Sequence, residues 1–344
     1  MTCEYLTPQA SVKKTRTAPK RSALKSVRPQ VPPSFEGILF DIDNVLIDTR
    51  DSYLETIRWT VEIYLTHGKI PLFQAAPKGE RPALLTPADI HQFKLLGGFN
   101  DDWDCCYGLL HYLLSLNPKS RTIEALRKEM NLKSLASKAS ERPLRVEGIT
   151  KRFGRSPFVM IEKISRIFQE IYLGKDLFAA TEKRKALYWN KKGLIRNERL
   201  LIKPGHLAKL KAKGLKLGIA TGRPRFEATY SLESFGILKL FDAMTTIDEV
   251  RMAERMEKKS LRKPHPHSLL ETARKMKLKT GLLYVGDLPD DVLAANRAKE
   301  NLGIHSAAFL AGSDSIPSTL EELKKESPDF ILYKADELLK LAQC

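Results

Sequence analysis

No apolar run in this 344-residue chain approaches the ~20 residues that a helix needs to cross a bilayer, so the sequence does not read as a membrane protein. Cysteine is scarce. The four, at positions 3, 105, 106 and 344, form neither a paired ligand spacing for zinc nor a disulfide framework, and Cys105 and Cys106 read as buried side chains in a reducing compartment. There is no basic region followed by heptads and no aromatic RNA-binding signature, which removes the main sequence signs of a dedicated nucleic-acid protein. Residues 1–34 lack the apolar centre of a secretory signal.

What the chain does have is charge, 42% hydrophobic content and length enough for a large core. The net charge of +17 is unevenly spread: residues 1–34 carry seven Lys/Arg against one acid, residues 119–152 ten against four, and only +5 remains for everything else. Low-periodicity basic stretches of this kind read as solvated surface. Residues 1–34 are therefore expected to be a disordered basic tail, with 119–150 expected to be flexible and the protein expected in the cytoplasm. An organelle transit peptide shares the composition of the tail and stays open as the alternative.

The order of elements gives the fold class. An apolar strand at 37–42 is followed by "DSYLETIRWTVEIYLTHG", with Leu54, Ile57, Val61, Tyr64 and Leu65 at helical spacing and Gly68 placed to stop the helix. Thr86-Pro87-Ala88-Asp89 opens a further helix with an N-cap, a first-turn proline and an acid. Helical patterning dominates 51–200. Beyond it, strands at 215–222, 241–248, 281–287, 305–312 and 330–333 alternate with helices. That alternation predicts a doubly wound parallel α/β sheet, with 35–50 and 201–344 as its core and 51–200 as a helical cap inserted after the first strand.

Four polar clusters fall at the predicted strand ends or in a connecting loop: Asp41-Ile42-Asp43, Thr221-Gly222-Arg223, Lys263 in "RKPHP", and Asp287 with Asp291 in "VGDLPDD". Parallel strands would bring them to one edge. Several carboxylates at one site repel unless a hard cation neutralises them, and an oxygen-rich set suits Mg²⁺. In that setting Asp41 is a candidate acceptor of a phosphoryl group and Asp43 a candidate general acid/base. Thr221, the Gly222 amide and Lys263 are candidates to hold the phosphate oxygens.

In this order the clusters resemble the haloacid dehalogenase superfamily, and specifically its phosphatases with an α-helical cap. "FDIDNVLID", "GIATGRP", "RKPHP" and "VGDLPDD" resemble its four motifs, and the likeness covers about 36–50 and 200–312. It implies a Rossmann-like core, Asp41 as nucleophile, Asp43 as acid/base, and Mg²⁺ held by Asp41, the Asp43 carbonyl and Asp287, with Asp291 close by. It further implies hydrolysis of a small phosphomonoester such as phosphoglycolate or a sugar phosphate. Asn44 departs from the glycine common at its place and His265 from a common acid.

Two kinds of alternative stay open: phosphotransfer to a second acceptor, as in a mutase, and a non-catalytic nucleic-acid binder using the basic segments. In the cap, "GGFNDDWD" is expected to be a loop over the site, with Phe99 and Asn100 as substrate contacts and Trp103 exposed. Its rival reading is a helix N-terminus carrying Asp101 and Asp102. Arg223 is a further candidate substrate contact. His265 and His267 have no evident third partner for a metal.

Overall fold

The computed structural model of the chain describes residues 34–67, 71–75, 82–94, 96–97, 99, 101–137, 144–313 and 316–342. Six parallel strands form the core sheet: β1 (Gly37–Phe40), β2 (Lys216–Ala220), β3 (Ala243–Thr245), β4 (Leu282–Gly286), β5 (Ile304–Phe309) and β6 (Phe330–Leu332). Their spatial order is β3-β2-β1-β4-β5-β6, the doubly wound arrangement expected from the sequence. Strands such as "GILF" and "LLYVG" are apolar without alternation because both of their faces are buried. Ile38 and Phe40 pack on one side with Leu217, Ile219 and Val285, whereas Leu39 packs on the other with Leu269, Leu282 and Tyr284.

Among the described residues, seven α-helices follow β1 ahead of the return connection at 199–200: α1 (Glu55–Thr66), α2 (Pro87–Lys94), α3 (Asp102–Ser115), α4 (Ile123–Glu129), α5 (Leu132–Ser137), α6 (Arg145–Phe153) and α7 (Ile161–Glu182). Seven more accompany the later strands: α8 (Pro204–Ala212), α9 (Arg225–Ser234), α10 (Ile247–Glu257), α11 (His267–Met276), α12 (Pro289–Ala298), α13 (Ile316–Lys325) and α14 (Ala335–Leu341). The first group has an apolar core of its own, built around Ile57, Val61, Leu109, Leu110, Ile167 and Ile171. It is tied to the sheet by a two-residue ribbon, Ile47–Asp48 paired antiparallel with Arg199–Leu200, at the base of the two connections.

Local sequence explains several boundaries. Thr86 and Asp89 cap α2 reciprocally: the Thr86 amide donates to the Asp89 carboxylate at 2.7 Å and the Asp89 amide to Thr86 Oγ1 at 3.3 Å. Helix α7 breaks at Gly174, whose φ of 76° and contact with the Gly193 backbone leave no room for a side chain. Helix α1 ends at Thr66; Gly68, expected to stop it, lies outside the described residues. Of the stretch at 119–150, expected to be flexible, residues 119–137 and 144–150 are described; they contain α4, α5 and the start of α6, with Ile123 and Leu126 fully buried. The tail lies outside the described residues except for Ser34. Among the described residues, no helix is long and apolar enough to cross a membrane.

Candidate active site

Strand register alone gathers the distant clusters. Phe40 pairs with Ile219 of β2 on one side and Val285 of β4 on the other, so Thr221, Asp41 and Asp287 leave the sheet side by side at its carboxyl edge. The Asp41 amide donates to the Val285 carbonyl at 2.9 Å, and the Thr221 amide to the Thr245 carbonyl at 3.0 Å. Thr221 is buried, whereas Gly222 is exposed with open space around it.

Three carboxylates and one ammonium form the centre. Asp41, Asp287 and Asp291 each present an oxygen, all within 4.8 Å of one another. Lys263 Nζ lies 3.1 Å from Asp41 Oδ2 and 2.8 Å from Asp291 Oδ1. Asp291 also accepts from the Tyr284 hydroxyl at 2.8 Å and from the amides of Asp287 and Leu288 at 3.2 and 3.1 Å. This close packing explains Gly286, where a Cβ would stand 2.3 Å from that of Asp291. Asn44 takes up the left-handed conformation its position demands, with φ of 54°, and its amide donates to Asp287 Oδ2 at 3.3 Å. The asparagine thus supplies the turn and a partner for the acid.

The electrostatics are those of a site short of positive charge. Burial pushes Asp41 up to about 6, opposed by Lys263 and assisted by the charges of Asp291 and Asp43. Burial, then the charges of Asp291 and Asp41, hold Asp287 well above the usual carboxylate range. Burial works against the Lys263 ammonium, yet Asp291 and Asp41 raise it above the ordinary lysine value. Three oxygen donors crowded beside a single lysine fit a hard divalent cation.

Asp43 takes a different direction. Its Oδ1 accepts from Arg223 Nε at 2.8 Å and Nη2 at 2.5 Å, so its carboxylate stands outside the acidic cluster. Arg223, expected as a substrate contact, is 1% exposed, and it also meets Glu198, Tyr172 and Ser231. An arginine just past a strand reads as surface, and only the packed cap connection above it makes it interior.

In the cap loop, the described side chains turn inward. Phe99 is fully buried, its ring 4.7 Å from that of Phe93, and both rings lie against Gly108, where the missing side chain makes room. Trp103 is half-buried, with the Arg251 guanidinium 5.5 Å from its ring. Asn100 lies outside the described residues. The rival reading holds for Asp101, which caps α3 by accepting from the amides of Trp103 and Asp104. Cap and core touch where Arg262, beside Lys263, meets Asp101 at 3.1 Å. Asp102 pairs with Lys94 at 2.7 Å. His265 and His267 join no cluster of potential metal ligands among the described residues.

Comparison with known proteins supports the motif reading. Residues 35–299 match the family model described as haloacid dehalogenase-like hydrolase. The chain belongs to that family. Over 134 residues it is 36% identical to the phosphoglycolate phosphatase of Escherichia coli K12, covering 39% of this chain and 46% of that protein. Over 136 residues it is 32% identical to PpaX of Caldanaerobacter subterraneus subsp. tengcongensis, named a pyrophosphatase by inference, covering 39% of this chain and 54% of that one. The chain thus spans about half the length of the curated relatives it matches. Among solved structures, phosphatase Tt82 from Thermococcus thioreducens superposes with a TM-score of 0.54 at 24% identity, covering 83% of this chain and 98% of that one. At that identity the likeness speaks for the fold.

Two parts of the site in this haloacid dehalogenase-like hydrolase were missed from sequence: Tyr284 and Glu198. Tyr284 sits in an apolar strand, and only its two-residue periodicity relative to Gly286 could have aimed it at the acids. Glu198 carries no local signal.

Proposed function

We propose that the chain is a Mg²⁺-dependent phosphatase acting on small phosphomonoesters through a phosphorylated Asp41. The observation that carries the proposal is the convergence of Asp41, Asp287 and Asp291 within 4.8 Å of one another at the carboxyl edge of the sheet, with Lys263 pairing with Asp41 and Asp291. Asp41, Asp287 and Asp291, with the carbonyl of Asp43, would hold the metal, which when bound would neutralise the acids and polarise the phosphoryl oxygens.

The residues themselves do the rest. A carboxylate oxygen of Asp41 attacks phosphorus, the bond from phosphorus to the ester oxygen breaks, and that oxygen keeps the electron pair and takes a proton from Asp43. Asp43, now a base, removes a proton from water. The hydroxide attacks phosphorus, the bond to Asp41 breaks, and the carboxylate is restored with release of inorganic phosphate. Lys263, the Thr221 hydroxyl and the Gly222 amide hold the phosphoryl oxygens as negative charge builds on them. The cap lies over the reaction and limits entry of water.

Phosphoglycolate and sugar phosphates are the first substrates to test, since the Escherichia coli relative is a phosphoglycolate phosphatase by name. The name of PpaX adds pyrophosphate to the panel. Phosphate release that requires Mg²⁺ and disappears in Asp41→Asn is the expected result. Full turnover in chelator, or by that variant, would refute the mechanism.

A further inference from the structure

Arg223 has twice the negative charge that it needs. Its guanidinium is buried and meets Asp43 through Nε and Nη2, and also Glu198, 3.0 Å from Nη2 to Oε1 and 3.3 Å from Nη1 to Oε2. Nη1 further donates to the Tyr172 hydroxyl at 3.2 Å and to Ser231 Oγ at 3.1 Å, and the Tyr53 ring lies 5.0 Å from the guanidinium carbon. Glu198, 6% exposed, is itself fixed by Ser231 Oγ at 2.6 Å, the Tyr172 hydroxyl at 2.8 Å and Ser52 Oγ at 3.4 Å. If Arg223 served only to anchor Asp43, one acid would suffice. A second buried carboxylate is costly to keep unless it has work to do.

The arrangement matters when Asp43 acts. To reach a leaving oxygen its carboxyl must give up at least part of its hold on Arg223, and a buried arginine left with no anion is strongly disfavoured. With Glu198 in place, Arg223 keeps a carboxylate, a phenol and a serine whether or not Asp43 stays. We propose that Glu198 and Arg223 are positioning residues that leave Asp43 free to serve the substrate, a role that rests on the phosphatase reading above. The supports come from both cap connections: Ser52 and Tyr53 on the outgoing one, Glu198 on the return, with Tyr172 from α7 and Ser231 from α9. Seating of the cap and freedom of Asp43 are therefore set by the same side chains.

The test compares leaving groups, using the full chain with Mg²⁺. An alkyl phosphate such as phosphoglycolate needs a proton on its departing oxygen, whereas p-nitrophenyl phosphate departs as a stabilised phenolate and needs little help. In Glu198→Gln, Asp43 becomes the sole anion of Arg223 and is held there. The kcat/KM for the alkyl ester is expected to fall about tenfold or more while that for the aryl ester falls less than about threefold. Restoring the charge in Glu198→Asp is expected to recover part of the alkyl rate. Equal losses on both esters, or no loss on either, would overturn the proposal while leaving the phosphatase intact. A wild-type chain that hydrolyses neither ester would instead bring down the phosphatase reading and this proposal with it. Should Glu198→Gln not fold, Ser231→Ala removes a partner of both charged groups; it is expected to show the same selective loss, and parallel losses there would be equally fatal.

Discussion

Lys263 Nζ stands 3.1 Å from Asp41 Oδ2, although the two residues lie on opposite sides of the whole cap in sequence. The same ammonium reaches Asp291, so one lysine is shared between the residue proposed to carry phosphate and an acid proposed to hold metal.

Removing that lysine should therefore cost more than a substrate contact. Lys263→Ala is expected to lower phosphate release by at least ~100-fold, the scale of one preorganised cationic group at a developing oxyanion. Steady-state release of inorganic phosphate from the best ester in the panel reads the effect. Retention of more than a tenth of the activity would contradict that scale of contribution.

Divalent metal should act on stability as well as on rate. A ligand that binds only the folded state stabilises it in proportion to the logarithm of its concentration, so millimolar Mg²⁺ is expected to raise the melting temperature measured in chelator. Asp287→Asn should reduce that rise. A wild-type melting curve indifferent to Mg²⁺, Mn²⁺ and Ca²⁺ would argue against a metal at the acidic cluster.

Glu227 links stability to pH at the seam between cap and core. Burial lifts its carboxyl to about 7, although the Tyr53 hydroxyl, 2.6 Å away, and the Gln169 amide, 2.9 Å away, pull it down. Because the folded value exceeds the ordinary one of 4.5, the folded state holds the extra proton between roughly those limits, and stability falls as pH rises through that window. Glu227→Gln should flatten the fall and stabilise the protein at pH 8 by about 1–3 kcal/mol. Urea denaturation at pH 5 and pH 8 measures both quantities; an unchanged difference between the two pH values would contradict the assignment.

Gly286 offers a steric test. A methyl group there would lie 2.3 Å from Asp291 Cβ, so Gly286→Ala must displace the start of α12. A loss of about 1–3 kcal/mol is expected, together with weakened Mg²⁺ stabilisation, whereas an exposed glycine such as Gly222 has space for the same change. Comparison of the two alanine variants by thermal melting distinguishes them.

The sheet and its acids were legible because each signal is short and local. A buried parallel strand is an unbroken apolar run, and the acid that follows it marks where burial stops, so Asp41, Thr221 and Asp287 could be placed before their neighbours were known. What could not be read were side chains whose meaning depends on what covers them. Two glycines before Phe99 suggested an exposed loop, but the ring turns inward because Gly108, on another helix, leaves a gap. Arg223 and Glu198 are polar residues at element ends, and such residues are usually solvated. Here the two cap connections close over both and turn them into an interior pair.

The separate apolar interior of the inserted helices has an evolutionary corollary. A module that satisfies its own packing can be lengthened or reshaped at the helices remote from its two connections, so long as the side chains that hold Arg223 and Glu198 are kept. Selection can then retune which molecules are admitted while the reactive edge stays as it is.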